Sequence, residues 1–294
     1  MSLIVGIRCA EGVVLAASGP ATMPSQDGLP AARQLARKLH VVGGQAVLGV
    51  AGHDGLAQEM ALSLERCLSE PDQRDSAEDV LRSRIREALA APVQRTVAIH
   101  RTLQGLPGFA MTSNGYVVSQ SLLALPFEGS LRLFEIDPEC TVTEITPELA
   151  YACVGSGRSV AEPFLAFLRK VLWSDSRPGL DQSELAAFWT VLHSIEHNPG
   201  GLSHPIQIVV LTRGKGGSIE IVERGDDYMF GLRRTIAAGE EAVRRSFQAS
   251  APRATESPAP PGPAGAESSA RKRVPEVRLT LDRREGRRGP GGWK

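Results

Sequence analysis

Cysteine is scarce: the 294 residues hold four, Cys9, Cys67, Cys140 and Cys153, and no two of them make a CxxC pair. Neither a disulfide framework nor a thiolate zinc site fits that spacing, which leaves buried free thiols as the plain reading. Long apolar runs are missing as well. No stretch approaches the ~20 apolar residues that a membrane-crossing helix requires. The apolar run at residues 3–7 is too short for a secretory signal and ends at Arg8. A cytoplasmic protein that engages no membrane is therefore expected.

Net charge is also absent, because 33 Lys and Arg balance 33 Asp and Glu. The balance hides an asymmetry. Residues 248–294 carry ten basic and five acidic side chains, which leaves 23 against 28 for the remainder. The folded part is thus mildly acidic and the end of the chain basic. With 42% hydrophobic and 22% charged residues the composition is that of an ordinary globular protein. From about Gln248 the sequence turns to Pro, Ala, Ser and Gly, then to Arg and Lys, without apolar periodicity. The expected division is one folded domain over 1–247 and a disordered tail over 248–294. Two readings of the basic end stay open: a solvated tail, or an electrostatic tether to acidic protein or nucleic acid.

Several elements are legible. Residues 3–7 and 12–17 are short β-branched runs on either side of Ala10-Glu11-Gly12, and predict a hairpin. After a loop over residues 19–30 rich in Pro and Gly, the runs 38–42 and 46–51 flank Gly43-Gly44 and predict a second hairpin that stops at Gly52. Apolar residues at helical spacing predict one helix over 56–68 and another through Val80, Ile85, Leu89, Val93 and Val97. Short strands follow between about 110 and 154, up to Gly155-Ser156-Gly157. Two more helices are predicted over 160–172 and 183–196, then a final strand pair at 206–211 and 218–222. No internal repeat is present. The order fits two antiparallel sheets stacked between helix layers, an α+β four-layer αββα sandwich.

The opening Ser2-Leu3-Ile4-Val5-Gly6-Ile7, followed by Glu11-Gly12-Val13-Val14-Leu15-Ala16-Ala17 and Ala21-Thr22, resembles the start of the mature proteasome β subunits and of the bacterial peptidase HslV. Further matches keep the family's order: Arg37-Lys38-Leu39-His40, Val50-Ala51-Gly52, Gly155-Ser156-Gly157, and Gly200-Gly201 before Pro205-Ile206-Gln207-Ile208-Val209-Val210. The likeness spans about residues 2–222. It implies an N-terminal-nucleophile hydrolase of the threonine-type endopeptidase family, with Ser2 in place of the threonine. Peptides or unfolded proteins would be the substrates, homo-oligomeric stacked rings the assembly, and an ATP-dependent unfoldase a partner. No cofactor is implied. The chain departs from the family where an aspartate partners the lysine: Ser18 stands there, and Pro199 stands at the position of a supporting serine.

The resemblance also implies roles. With Met1 removed, the free α-amine of Ser2, whose ordinary pKa is about 7.7–8.0, accepts the hydroxyl proton near neutral pH. Lys38 lowers the proton affinity of that pair by its charge, or serves as a base if neutral. A backbone N–H at Gly52 supplies the oxyanion donor, or Gly52 is simply a turn glycine. Ser156 hydrogen-bonds the amine, or is a turn serine. Val50 matches the floor of the substrate pocket, and its size favours cleavage after hydrophobic residues. Two other readings compete. His193-Ser194-Ile195-Glu196-His197 is an HxxEH string, the pattern of a zinc peptidase. A catalytically silent ring subunit with an assembly or gating role is the other.

Overall fold

A computed structural model of the chain describes residues 2–19, 21–24, 30–34, 37–69, 78–104, 119–174, 176–197 and 201–250. The chain divides into one compact unit, Met1–Ser246, and a second, Phe247–Lys294. Of the tail expected over 248–294, residues 248–250 belong to the last helix, and the rest lies outside the described residues.

Two five-stranded antiparallel sheets form the centre. In the first, β1 (Ile4–Arg8) lies between β2 (Gly12–Ala17) and β10 (Tyr151–Val154), and β2 continues to β11 (Gln207–Arg213) and β12 (Ile219–Glu223). In the second, β5 (Leu39–Val42), β6 (Ala46–Ala51), β7 (Gln120–Phe127), β8 (Ser130–Ile136) and β9 (Val142–Glu144) pair in chain order. Helices α1 (Asp54–Ser69) and α2 (Glu78–Gln104) precede β7. Helices α3 (Arg158–Leu172) and α4 (Leu180–His197) follow β10, and α5 (Asp226–Ser250) follows β12.

The layers follow from strand alternation. Along β2, Val14 and Ala16 face the core shared with α3 and α4, while Val13, Leu15 and Ala17 face the other sheet. Along β6, Leu48 and Val50 face α1 and α2, while Val47 and Ala51 face the first sheet. Both faces of each sheet are therefore covered, which explains why β2 and β6 are uninterrupted apolar runs. Close approach between the sheets needs a missing side chain at Gly49, where a Cβ would come within 2.9 Å of Ile4. Three apolar cores, helix–sheet, sheet–sheet and sheet–helix, make the expected αββα sandwich.

The structure adds elements beyond those expected. The loop expected over residues 19–30 includes part of a separate two-stranded hairpin, β3 (Ala21–Pro24) with β4 (Pro30–Gln34). Its prolines are tolerated because each strand has only one partner. Helix α5 is also beyond those expected: Met229, Leu232 and Ile236 recur at helical spacing and pack on the core, but most of its surface is exposed and, among the described residues, only Ile236 is fully buried. The strand block expected from about residue 110 is described from β7 onward. No described helix is long and apolar enough to cross a membrane.

Candidate active site

Three backbone segments converge on the start of β1. The Ser2 N–H donates to Ser156 Oγ at 3.2 Å, and the Ser156 hydroxyl donates back to the Ser2 carbonyl at 3.3 Å. Gly157 N–H donates to the same carbonyl at 3.2 Å. The turn that brings these groups in depends on Gly155, whose φ is +96° and whose Cβ would stand 2.4 Å from the Ser2 carbonyl oxygen. Any side chain there would collide with backbone, so the Gly-Ser-Gly sequence is a steric requirement of holding Ser2. Gly155 N–H is itself held, donating to Gln120 Oε1 at 3.0 Å. Because Met1 precedes Ser2, the Ser2 nitrogen in this chain is a peptide amide.

One residue inward, the end of β2 supplies the next support. Leu3 N–H donates to Ser18 Oγ at 3.1 Å, and Ser18 N–H donates to the Leu3 carbonyl at 3.0 Å. Lys38 Nζ donates to the same hydroxyl at 3.3 Å. Ser18 Oγ thus accepts two bonds, the number its lone pairs allow. The hydroxyl joins the first residue of the buried chain to the lysine, with Ser18 at 0% and Lys38 at 2% relative exposure.

Lys38 is fixed along its backbone too. Its N–H donates to Gln207 Oε1 at 3.0 Å, and its carbonyl accepts from Val50 N–H at 3.1 Å. Burial pushes the ammonium down to about 8, against the negative charge of Asp54, which acts to raise it. The nearby His40 imidazole is also held below its ordinary value, first by burial and then by Arg37, again opposed by Asp54. Asp54 opens α1, where a helix N-terminus favours the anion.

The set expected from the sequence is distributed as follows. Ser2, Ser18 and Ser156 share hydrogen bonds around the first two residues of the described chain, and Lys38 joins them through Ser18. Gly52 is exposed, directly after β6 and before α1. Its neighbour Ala51 is opposite Gln120 in the ladder, and Ala51 Cβ lies 3.0 Å from where a Gly155 Cβ would be. Val50 is 3% exposed, in the core with Leu56 and Met60 beneath α1. It does not line the cleft of about 310 Å3 formed by Arg37, Leu39, Gln207, Glu223, Arg224 and neighbouring β11 residues.

The HxxEH string gives a different arrangement from the one its spacing allows. The imidazoles of His193 and His197 stack with centroids 4.1 Å apart, and His193 stacks on Phe164 at 3.9 Å. Lone pairs lie in the ring planes, so stacked rings do not point their nitrogens at one shared centre. No group of three candidate metal ligands occurs among the described residues.

Gln120, Gln207 and Ser203 were not foreseen. The Ser203 backbone carbonyl accepts Gly19 N–H at 2.7 Å, tying the residue after Ser18 to the segment before β11. Single glutamines and serines at strand ends have no periodic signature. Only the register of distant strands gives them these partners.

The two sheets and their helix layers make an α+β proteasome-like fold. Solved structures share it. Anbu (ancestral beta-subunit) from Yersinia bercovieri is 18% identical, with a TM-score of 0.58 over 83% of this chain and 96% of that one. A Gly-1 mutant of Anbu from Hyphomicrobium sp. strain MC1 is 19% identical, with a TM-score of 0.59 over 85% and 99%. The helical assembly of the Anbu complex from Pseudomonas aeruginosa gives 17%, 0.60, 83% and 96%. At this identity the likeness is one of fold. These neighbours are Anbu proteins. No family model and no curated protein matches the chain.

Proposed function

We propose that the chain is a proteasome-like peptidase whose nucleophile is Ser2 after removal of Met1. The observation that carries this reading is the shared Ser18 hydroxyl, which accepts both Leu3 N–H and Lys38 Nζ and so ties the chain start to a buried lysine. Once Met1 is gone, the Ser2 amine takes the hydroxyl proton while Oγ attacks the peptide carbonyl carbon. The tetrahedral oxyanion takes a hydrogen bond from Gly52 N–H, a donor typically worth about 3–4 kcal/mol in such sites. The C–N bond then breaks, the leaving amine receives the proton, and water hydrolyses the acyl-enzyme by the same steps.

Within this reading Lys38 stabilises the reacting pair by its charge and Ser156 orients the amine; Val50, buried beneath α1, is left out of the substrate pocket. The assembly is a homo-oligomer of stacked rings or a helical stack, in keeping with the helical assembly of the Pseudomonas aeruginosa neighbour. Ser2 faces the inside, in the cytoplasm, and an ATP-dependent unfoldase feeds unfolded protein to it. The second reading, a silent ring subunit, is favoured by one observation: a neutral hydroxyl at position 18 stands beside Lys38 where the threonine-type pattern has a carboxylate.

Intact-mass analysis decides between them. Treatment with a peptide β-lactone should add one inhibitor mass to a chain lacking Met1, and Ser2→Ala should take up none. A chain that keeps Met1, or that is never acylated, would leave the silent subunit standing. Light scattering of the same sample tests the assembly, and a monomer would refute it.

A further inference from the structure

Between the two sheets, at the end where the chain begins, one side chain joins groups that belong to different layers. Gln120 opens β7 in the second sheet, directly opposite Ala51 at the end of β6. Its side chain leaves that sheet, and Oε1 accepts Gly155 N–H at 3.0 Å, in the turn that follows β10 of the first sheet. That turn holds Ser2 through Ser156 and Gly157, and its Gly155 backbone rests against the Ser2 carbonyl.

We infer that Gln120 is a positioning residue, which holds the Gly155-Ser156-Gly157 turn, and with it Ser2, at a fixed offset from the β6 end that leads into Gly52. The inference rests on the proposed peptidase reading for its catalytic consequence, and on the geometry alone for its structural one. The nucleophile is carried by the first sheet and the oxyanion donor by the second. Acyl transfer needs the two fixed relative to each other to within a fraction of an ångström. Apolar contact between sheets is dense but tolerates sliding. A directed hydrogen bond to a backbone N–H sets the offset, because it weakens steeply with distance and angle. Ala51, whose Cβ fills the space that a Gly155 side chain would need, sets the closest approach. Gln120 sets the farthest. No charge is involved, so the device works at any pH at which the fold persists.

The test compares Gln120→Leu, of similar size but without an acceptor, with Gln120→Glu, which keeps an acceptor oxygen. Acylation of Ser2 by a β-lactone is followed at increasing inhibitor concentration. In Gln120→Leu the limiting rate constant should fall about 10-fold with the half-saturating concentration little changed, the loss corresponding to one positioning hydrogen bond. Gln120→Glu should stay within about threefold of the parent, on the same scale.

Amide hydrogen exchange in the same proteins gives a readout independent of activity. In Gln120→Leu, exchange should speed up at Gly155 and Gly157 and stay unchanged within β10. Equal slowing of acylation in both variants would overturn the inference, and so would undisturbed exchange at Gly157 in Gln120→Leu. If the parent protein is never acylated, the peptidase reading fails, and the exchange result alone decides the role of Gln120. Should Gln120→Leu fail to fold, Gln120→Ala replaces it in both measurements.

Discussion

Lys38 Nζ stands 3.3 Å from Ser18 Oγ, and both side chains are closed off from solvent. A cation donating to a hydroxyl gains far less than one donating to a carboxylate, while the cost of leaving water is the same. Burial pushes Lys38 down to about 8, with Asp54 as the opposing charge.

That depressed value has a signed consequence for stability. The unfolded chain holds the Lys38 proton up to about 10.5, whereas the folded chain releases it near 8. The folded state therefore bears an unfavourable contribution, complete below about 8 and relieved as pH rises from 8 toward 10.5. Lys38→Met should remove the relief and, at pH near neutral, stabilise the fold by roughly 1–3 kcal/mol. Urea denaturation at stepped pH measures both. A less stable variant would mean that contacts of the ammonium outweigh its burial.

Ser18→Ala should cost about 1–3 kcal/mol, because Leu3 N–H and Lys38 Nζ lose a buried acceptor. Ser18→Asp should keep the acceptor and raise Lys38, so that the alkaline relief of stability begins at higher pH than in the parent. Denaturation midpoints across the alkaline range check this. Identical profiles for the parent and Ser18→Asp would count against contact between positions 18 and 38.

Gly155→Ala should destabilise by roughly 2–3 kcal/mol, since the backbone conformation is left-handed and the new methyl would meet the Ser2 carbonyl oxygen. Calorimetry gives the loss. Gly129, also at positive φ but with open space around it, provides the contrast: Gly129→Ala should cost only the conformational part, about 1 kcal/mol.

Glu184, fully buried on α4, accepts hydrogen bonds from Arg224 Nε at 2.6 Å and from the Tyr228 hydroxyl near the start of α5. Burial, followed by the Glu184 contact, pushes the Tyr228 phenol up to about 12. Glu184→Gln should bring the phenol down toward its ordinary value, read by ultraviolet titration, and cost about 1–3 kcal/mol. A phenol unmoved by the change would show that burial alone raises it.

Much of the fold was open to reading from the chain. The strands Ile4–Arg8, Gly12–Ala17, Leu39–Val42 and Ala46–Ala51 are short β-branched or small apolar runs cut by glycines, and the helices α1 to α4 show apolar residues at helical spacing. These signals are local. The β3–β4 hairpin lacks them because its strands contain proline, whereas α5 does carry Met229, Leu232 and Ile236 at helical spacing, a narrow stripe on a helix whose remaining surface mostly meets solvent.

The candidate site divides the same way. Linear order determined Ser2 ahead of β1, the Gly-Ser-Gly turn, and the lysine ahead of β5, because each belongs to a contiguous motif. Tertiary structure decided that Ser18 serves both Leu3 and Lys38, that Val50 turns toward the helices, and that Gln120 reaches across to Gly155. Those facts depend on strand register and on the distance between stacked sheets. Both are set by how whole faces of side chains fit together, which no short stretch of sequence encodes.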